Sequence, residues 1–294
     1  MEDELQEVRD NFYVGNFQKT LQLCESAVPS SDIAQFECDA ILARCALSMG
    51  MTEKLKAMTN AESPGQRASA LYHVSTKSPN EAQRQKAKEK LKDHIAEKQD
   101  LSSSILGANM LAFDGNYQDA VNLTSAHPTL EMQALRVFLF LMCNQVGMAE
   151  KEIKDMKGSN EDSAAFLMAS AAVYLASGNP EEAYLTYCDL SSKFPAVDGE
   201  DGGSVLLETG KGLANMMRGM WQEALEDLQR ANQLAPNDAD VLVNLCCCMT
   251  HSGKKDEFQQ YYSKLEQVSP AHPYVKKTQG IKDTFARFKA SLNA

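Results

Sequence analysis

GLANMMRGMWQEALEDLQRANQLAP, Gly212 to Pro236, and CCCMTHSGKKDEFQQYYSKLEQVSP, Cys246 to Pro270, are two copies of one pattern. Gly212 pairs with Cys246, Gly219 with Gly253, Leu228 with Tyr262, Ala231 with Leu265 and Pro236 with Pro270, always 34 residues apart. Small residues let two helices approach, glycine opens a tight turn, and proline cannot continue a helix. Each stretch therefore reads as helix, turn, helix and stop. No sustained strand alternation is seen anywhere in the chain.

Working outward, Ala171, Gly178, Pro180, Ala183, Tyr187, Leu190 and Pro195 repeat the same spacings, and Ala108, Gly115, Tyr117 and Ala120 begin another copy. Gly15, Phe17, Thr20, Cys24 and Ala27 mark the first copy, and Ala43 and Gly50 the second. A third (Ala70, Pro79, Ala82) and a fifth (Val137, Phe140, Ala149, Ile153, Met156) are degenerate. The pattern resembles the tetratricopeptide repeat, a helix hairpin of 34 residues. It predicts an all-α superhelical solenoid of about eight hairpins, one domain over 1–294, with repeats beginning near 1, 36, 63, 101, 130, 164, 205 and 239. Pro29, Pro64, Pro128, Pro195, Pro236 and Pro270 fall between repeats. Val197 to Gly203 reads as an inserted loop. Tyr274, Ile281, Phe285, Phe288 and Leu292 form one apolar stripe, which predicts a capping helix over 272–294.

Composition narrows the function classes. The chain has 294 residues, 44% of them hydrophobic, and a formal net charge of −11. That charge repels phosphate backbones and anionic headgroups, so no nucleic-acid partner is expected. The longest apolar run, Val137 to Cys143, is far short of the about 20 residues that span a bilayer. Met1 to Asp10 is acidic with no apolar stretch behind it, so no signal peptide is expected. Eight cysteines follow neither disulfide nor zinc spacing, which predicts reduced cytosolic thiols used in packing.

The chain also lacks the motifs of chemistry. There is no GxGxxG, Walker loop, HExxH or GxSxG. The histidines, His73, His94, His127, His251 and His272, are scattered. Cys246, Cys247 and Cys248 are successive, and on a helix neighbours diverge by roughly 100°, so the three cannot converge on one metal. Asp198 to Gly202 lacks the alternating ligands of a calcium loop. Acidic pairs such as Glu181 and Glu182 complement a helix N-terminus. No catalytic residue, metal or cofactor is expected, and the chain does not read as an enzyme.

Binding is the remaining reading. On the first helix of each repeat, one set of positions faces the concave groove and is not required to be apolar for packing. It holds Ile105, Phe138, Leu141, Met168, Leu175, Leu206, Leu213 and Met216, with Phe113, Met142 and Met217 beside it. A contiguous apolar patch of this kind marks a partner site, and methionine suits an adaptable one. The alternative is that tight superhelical closure buries these residues within the solenoid. A co-chaperone or adaptor mode, gripping an acidic peptide tail, needs basic and amide residues in the groove. Asn109 and Asn244 are present, but Ile105, Phe138 and Leu213 stand where such residues are wanted.

Beyond the generic repeat, the chain resembles the coatomer epsilon-subunit family. The resemblance rests on DNFYVGNFQ (Asp10 to Gln18), MCNQVGMAEKEIKDM (Met142 to Met156), GMWQEA (Gly219 to Ala224), VLVNL (Val241 to Leu245) and HPYVK (His272 to Lys276). It implies a non-catalytic α-solenoid in a hetero-oligomer, curling around a projecting segment of the C-terminal domain of the coatomer alpha subunit. The implied role is to stabilise the coat for Golgi-to-endoplasmic-reticulum and intra-Golgi transport. The implied location is cytoplasmic, and peripheral on Golgi membranes and coated vesicles through the assembled coat, with no direct membrane insertion.

Overall fold

A computed structural model of the chain describes residues 3–98, 100–158, 160–195 and 203–292. All regular elements among the described residues are helical. α1 (Gln6–Tyr13) pairs with α2 (Phe17–Ser26). α3 (Asp32–Ser48) pairs with a short α4 (Thr52–Ala57), extended by a 3-10 turn (Met58–Asn60). Then follow α5 (Pro64–Lys77) with α6 (Glu81–Lys98), α7 (Leu101–Phe113) with α8 (Tyr117–Thr124), and α9 (Leu130–Met142) with α10 (Val146–Met156). α11 (Ala164–Ala176) pairs with α12 (Pro180–Lys193), α13 (Val205–Met217) with α14 (Trp221–Leu234), and α15 (Ala239–His251) with α16 (Lys255–Val268). α17 (Pro273–Leu292) ends the array. The fold is an all-α solenoid of eight hairpins and a final helix.

Local chemistry starts and stops the leading helices. Ser31, Asp100, Thr129, Ser163, Ser204 and Asp238 precede α3, α7, α9, α11, α13 and α15, and each side-chain oxygen accepts a backbone N–H from the first turn. Such a cap contributes about 1 kcal/mol. The hairpin turns carry left-handed residues: Gly15, Gly50, Gly115, Gly178, Gly219 and Gly253 have positive φ, and Asn144 (φ 57°) takes the same place after α9. The next N–H reaches back five residues, as in Asn16 to the Asn11 carbonyl (2.9 Å) and Lys254 to that of Met249 (3.0 Å). That bond satisfies the carbonyls left open at the helix end.

The hairpins pack through small residues. Ala108 on α7 packs with Ala120 on α8, and Ala171 on α11 with Ala183 on α12, all fully buried. At Gly212 even a methyl group is excluded, since a Cβ would stand 2.7 Å from Leu228 Cγ. Met156, Leu190, Leu228 and Leu265 fill the space between hairpins and are also fully buried.

The solenoid then closes on itself. α1, α3, α5, α7, α9 and α11 touch in succession, and α11 returns to α1. The Ala164 N–H donates to Asp10 Oδ1 (2.8 Å), and Asn16 Nδ2 donates to the Phe194 carbonyl (2.9 Å). The Ser204 hydroxyl donates to the Val14 carbonyl. Val14 is fully buried in one cluster with Ala164, Met168, Tyr187, Leu190 and Leu207. α13 to α16 continue the stack beyond this ring. α17 covers the end through Tyr274 and Val275, which pack with Leu242 and Leu265. From Gln279 to Ser291 all its residues are exposed, so only the beginning of the expected cap buries side chains on the stack. The loop read at Val197 to Gly203 lies, apart from Gly203, outside the described residues, as does Asp198 to Gly202.

The inner wall of the closed solenoid

Ring closure brings one part of the expected groove to a single place. Ile105 of α7, Phe138 of α9, Met168 of α11 and Leu206 of α13 line a cavity of about 320 Å³, together with Tyr13, Arg44, Asn109, Glu131, Leu135 and Tyr187. Ile105 and Met168 are buried, whereas Phe138 (39% exposed) and Leu206 (47%) still face open space. The other expected residues lie elsewhere. Leu141, Leu175 and Met216 are half-buried and pack into the clusters between hairpins. For them, and for Ile105 and Met168, burial within the solenoid is the outcome. Leu213 is half-buried off the cavity. Phe113, Met142 and Met217 are exposed at the C-terminal ends of α7, α9 and α13, on the edge of the turns.

The polar residues that close the cavity, Tyr13, Arg44 and Glu131, are ones the groove spacing does not single out. Arg44 of α3 and Glu131 of α9 form an ion pair at 2.6 Å with little solvent on either side chain. The Tyr13 hydroxyl bonds to both. Burial pushes the Tyr13 phenol well above its ordinary value, and the Glu131 carboxylate adds to the shift. Burial alone would depress Arg44, but Glu131 and Tyr13 outweigh it and hold the guanidinium charged. Arg44 is therefore already neutralised and does not offer the carboxylate clamp that an acidic tail needs. A more polar opening of about 420 Å³ shares Tyr13, Glu131 and Ala165 with the cavity and is rimmed by Asp3, Asp10 and Glu37. Asp10 accepts the Ala164 N–H at the start of α11, whose cap Ser163 also lies on this opening, whereas Asp3 and Glu37 are held by Arg9.

A second charged cluster holds α13 to α14. Lys211 Nζ and Arg230 Nε donate to the two oxygens of Glu208 (2.5 and 2.9 Å), and Asn215 Nδ2 donates to Asp227 (2.8 Å). Burial raises the Glu208 pKa, but Lys211, the Gly203 N–H and Arg230 more than offset it, so the net direction is down. Its groups satisfy one another, which is the condition for a buried polar network to stabilise. Cys246 is fully buried, and burial pushes its thiol up to about 12, far from the thiolate that metal or redox chemistry needs. Cys248 points its S–H at the Trp221 carbonyl. No group of three His, Cys, Asp or Glu side chains among the described residues is placed to hold a metal. No helix among them is long and apolar enough to cross a membrane.

A closed stack of helical hairpins with an apolar inner wall and self-paired charges is a helical-repeat protein of the tetratricopeptide-like solenoid class. The chain belongs to the coatomer epsilon-subunit family: the family model, described as "Coatomer epsilon subunit", matches residues 1–293. Coatomer subunit epsilon-2 of Arabidopsis thaliana is 29% identical over 290 residues, covering 97% of this chain and 95% of that protein. Coatomer subunit epsilon of Caenorhabditis elegans is 25% identical and covers 94% of each. Solved structures share the fold at low identity. A crystal structure of the APC/C hetero-tetramer Cut9-Hcn1 aligns with TM-score 0.61 at 13% identity, covering 90% of this chain and 52% of that one. A human IFIT1 dimer with PPP-AAAA aligns with TM-score 0.58 at 14% identity, covering 98% and 77%.

Proposed function

We propose that this chain is a non-catalytic scaffold subunit of the coatomer, and that the ring formed by α1 to α12, with the start of α13 beside it, clasps a projecting segment of the C-terminal domain of the coatomer alpha subunit. Family membership makes it a component of a hetero-oligomeric vesicle coat. Clasping a neighbour locks the two together and stabilises the coat during Golgi-to-endoplasmic-reticulum and intra-Golgi transport. On this reading the chain works in the cytoplasm and reaches Golgi membranes and vesicles through the assembled coat.

The observation that supports this most is the cavity, where Phe138 and Leu206 stand exposed beside the buried Ile105 and Met168. A large apolar side chain contributes about 1.5–3 kcal/mol when its surface is taken fully out of water. Two anchors in the cavity therefore account for a sizeable part of a specific association, and the self-paired charges around them leave little to attract a polar ligand.

The test is co-expression with the C-terminal domain of the alpha subunit, followed by affinity measurement on purified proteins. Phe138→Asp with Leu206→Asp places two charges against the apolar segment. It should weaken binding by at least about 100-fold, the scale of two lost anchors. Far-UV helicity should persist, because both side chains are partly exposed. Unchanged affinity would remove the cavity from the interface.

A further inference from the structure

The tail of α17 carries large apolar side chains that neither the ring nor the stack covers. Ile281 and Phe285 are 70% exposed and Phe288 59%. They are spaced four and three residues apart, and Leu292 takes the next position of the same register. That three-four alternation is a coiled-coil seam, and its three exposed side chains fall within roughly 60° of arc on a helix turning about 100° per residue. Lys277 and Lys289 fall on opposite edges of the seam. A shallow hollow over Gly280 and Thr284, beside Phe288, leaves room for a knob from a facing helix. From Ile281 to the Leu292 position the seam runs about 17 Å along the helix, at roughly 1.5 Å per residue.

We propose that this seam docks an amphipathic helix of another protein whose apolar stripe is flanked by Asp and Glu. Charge selects the occupant. α17 carries Lys276, Lys277, Lys282, Arg287 and Lys289 against the single acid Asp283, in a chain of net charge −11. A second copy would set this basic helix against itself, and like charges beside a helical seam repel. A bilayer is disfavoured on two counts. An interfacial helix presents a broad apolar face, whereas this one is a narrow seam, and the acidic body of the chain is repelled by anionic headgroups. A facing helix with acidic flanks meets both the seam and Lys277 and Lys289. Lys282 already lies over the Tyr262 ring (4.4 Å) and anchors α17 to the stack. The site is separate from the cavity lined by Phe138 and Leu206, so its failure leaves the clasp reading standing.

The full chain is titrated by fluorescence anisotropy with two synthetic peptides of about three heptads. Both carry leucine along the seam, one with glutamate and one with lysine at the flanking positions. Vesicles of phosphatidylcholine and phosphatidylserine serve as the lipid arm, and sedimentation velocity monitors self-association. The acidic peptide should bind at least about ten-fold tighter than the basic one, with the advantage shrinking as salt is raised. Phe285→Asp with Phe288→Asp should abolish binding of the acidic peptide. Lys277→Glu with Lys289→Glu should reverse the peptide preference while leaving the seam intact, which provides a readout independent of the first variant. Equal binding of the two peptides, vesicle binding stronger than peptide binding, or dimerisation lost in the Phe285→Asp, Phe288→Asp variant would each overturn the proposal.

Discussion

The ring from α1 to α12 and the stack from α13 to α17 are built from the same hairpin, yet they finish differently. In the ring, the first hairpin returns to the sixth and seventh, and the apolar inner wall is partly consumed by the closure: Val14 is fully buried and Ile105 and Met168 nearly so. At the open end no hairpin follows α16, and α17 leaves its seam in solvent. Repeat spacing makes a hairpin, but it does not decide whether hairpins close. Closure depends on a few residues outside the repeat pattern, chiefly Asp10, Tyr13, Asn16, Arg44 and Glu131. Disturbing them should therefore cost more than disturbing equivalent positions in the open stack.

The sharpest contrast is between two ion pairs. Arg44 and Glu131 meet inside the ring with side chains 11% and 15% exposed, whereas Lys254 and Glu257 face solvent at 3.9 Å. Glu131→Gln leaves the Arg44 charge buried without its partner, which costs about 3–5 kcal/mol. Glu257→Gln should stay within about 0.5 kcal/mol. Urea denaturation of both variants measures the difference, and equal losses would mean that the ring gains nothing special from this pair.

The same contrast explains what the sequence could and could not disclose. The all-α solenoid was legible because small residues, turn glycines and prolines recur at one interval, and each acts locally. Part of the cavity wall was legible for the same reason: Ile105, Phe138, Met168 and Leu206 lie on the facing side of successive leading helices and do line the cavity. Leu141, Leu175 and Met216 share that periodicity but end between hairpins, because the curvature that turns them there is not written in the period. Tyr13, Arg44 and Glu131 were invisible to periodicity. The bonds that bring α1 to the far side of the ring join residues 154 to 190 positions apart, such as Asp10 with Ala164 and Val14 with Ser204. The stretch Asp10 to Gln18, which carried part of the family resemblance, contains much of that closure. Glu208 and Asp227 were missed differently, because charged residues on helices are ordinarily solvated and nothing in their spacing signals burial.

Turn glycines offer a second and smaller contrast. Gly15 and Gly253 both have positive φ (83° and 70°), so alanine strains either turn by about 1–2 kcal/mol. At Gly253 nothing lies within 4 Å of an added Cβ, but at Gly15 it would stand 3.3 Å from Leu206 Cβ and from Ser204 Oγ, where the ring closes. Gly15→Ala should therefore lower stability beyond Gly253→Ala by up to about 1 kcal/mol more, the lower end of an overpacking cost. It should also speed hydrogen exchange at the Ala164 and Leu207 amides. Identical losses with no change in exchange at α11 and α13 would show that the closure yields freely there.

The smallest effect separates one carboxylate in each region, Asp10 and Glu208, by sign. At the ring closure, burial raises the Asp10 pKa above 3.8, and the hydrogen bonds from Gln6 and the Ala164 N–H offset this only in part. On α13 the partners of Glu208 bring its pKa below 4.5. Folded Asp10 keeps its proton where the unfolded chain has lost it, so its contribution is fully present below the unfolded value and disappears as pH rises through the folded one. Glu208 behaves oppositely: its contribution is present above 4.5 and is lost as pH falls through the lowered folded value. Asp10→Asn keeps an oxygen for the Ala164 amide, so relative to the parent it should gain stability as pH rises from about 3 to 7. Glu208→Gln should lose stability relative to the parent over the same rise. Urea unfolding across that range reads both slopes. Slopes of equal sign would mean that the ring closure and the α13–α14 network are held by the same balance of burial and pairing, and the distinction between closed and open regions would then rest on packing alone.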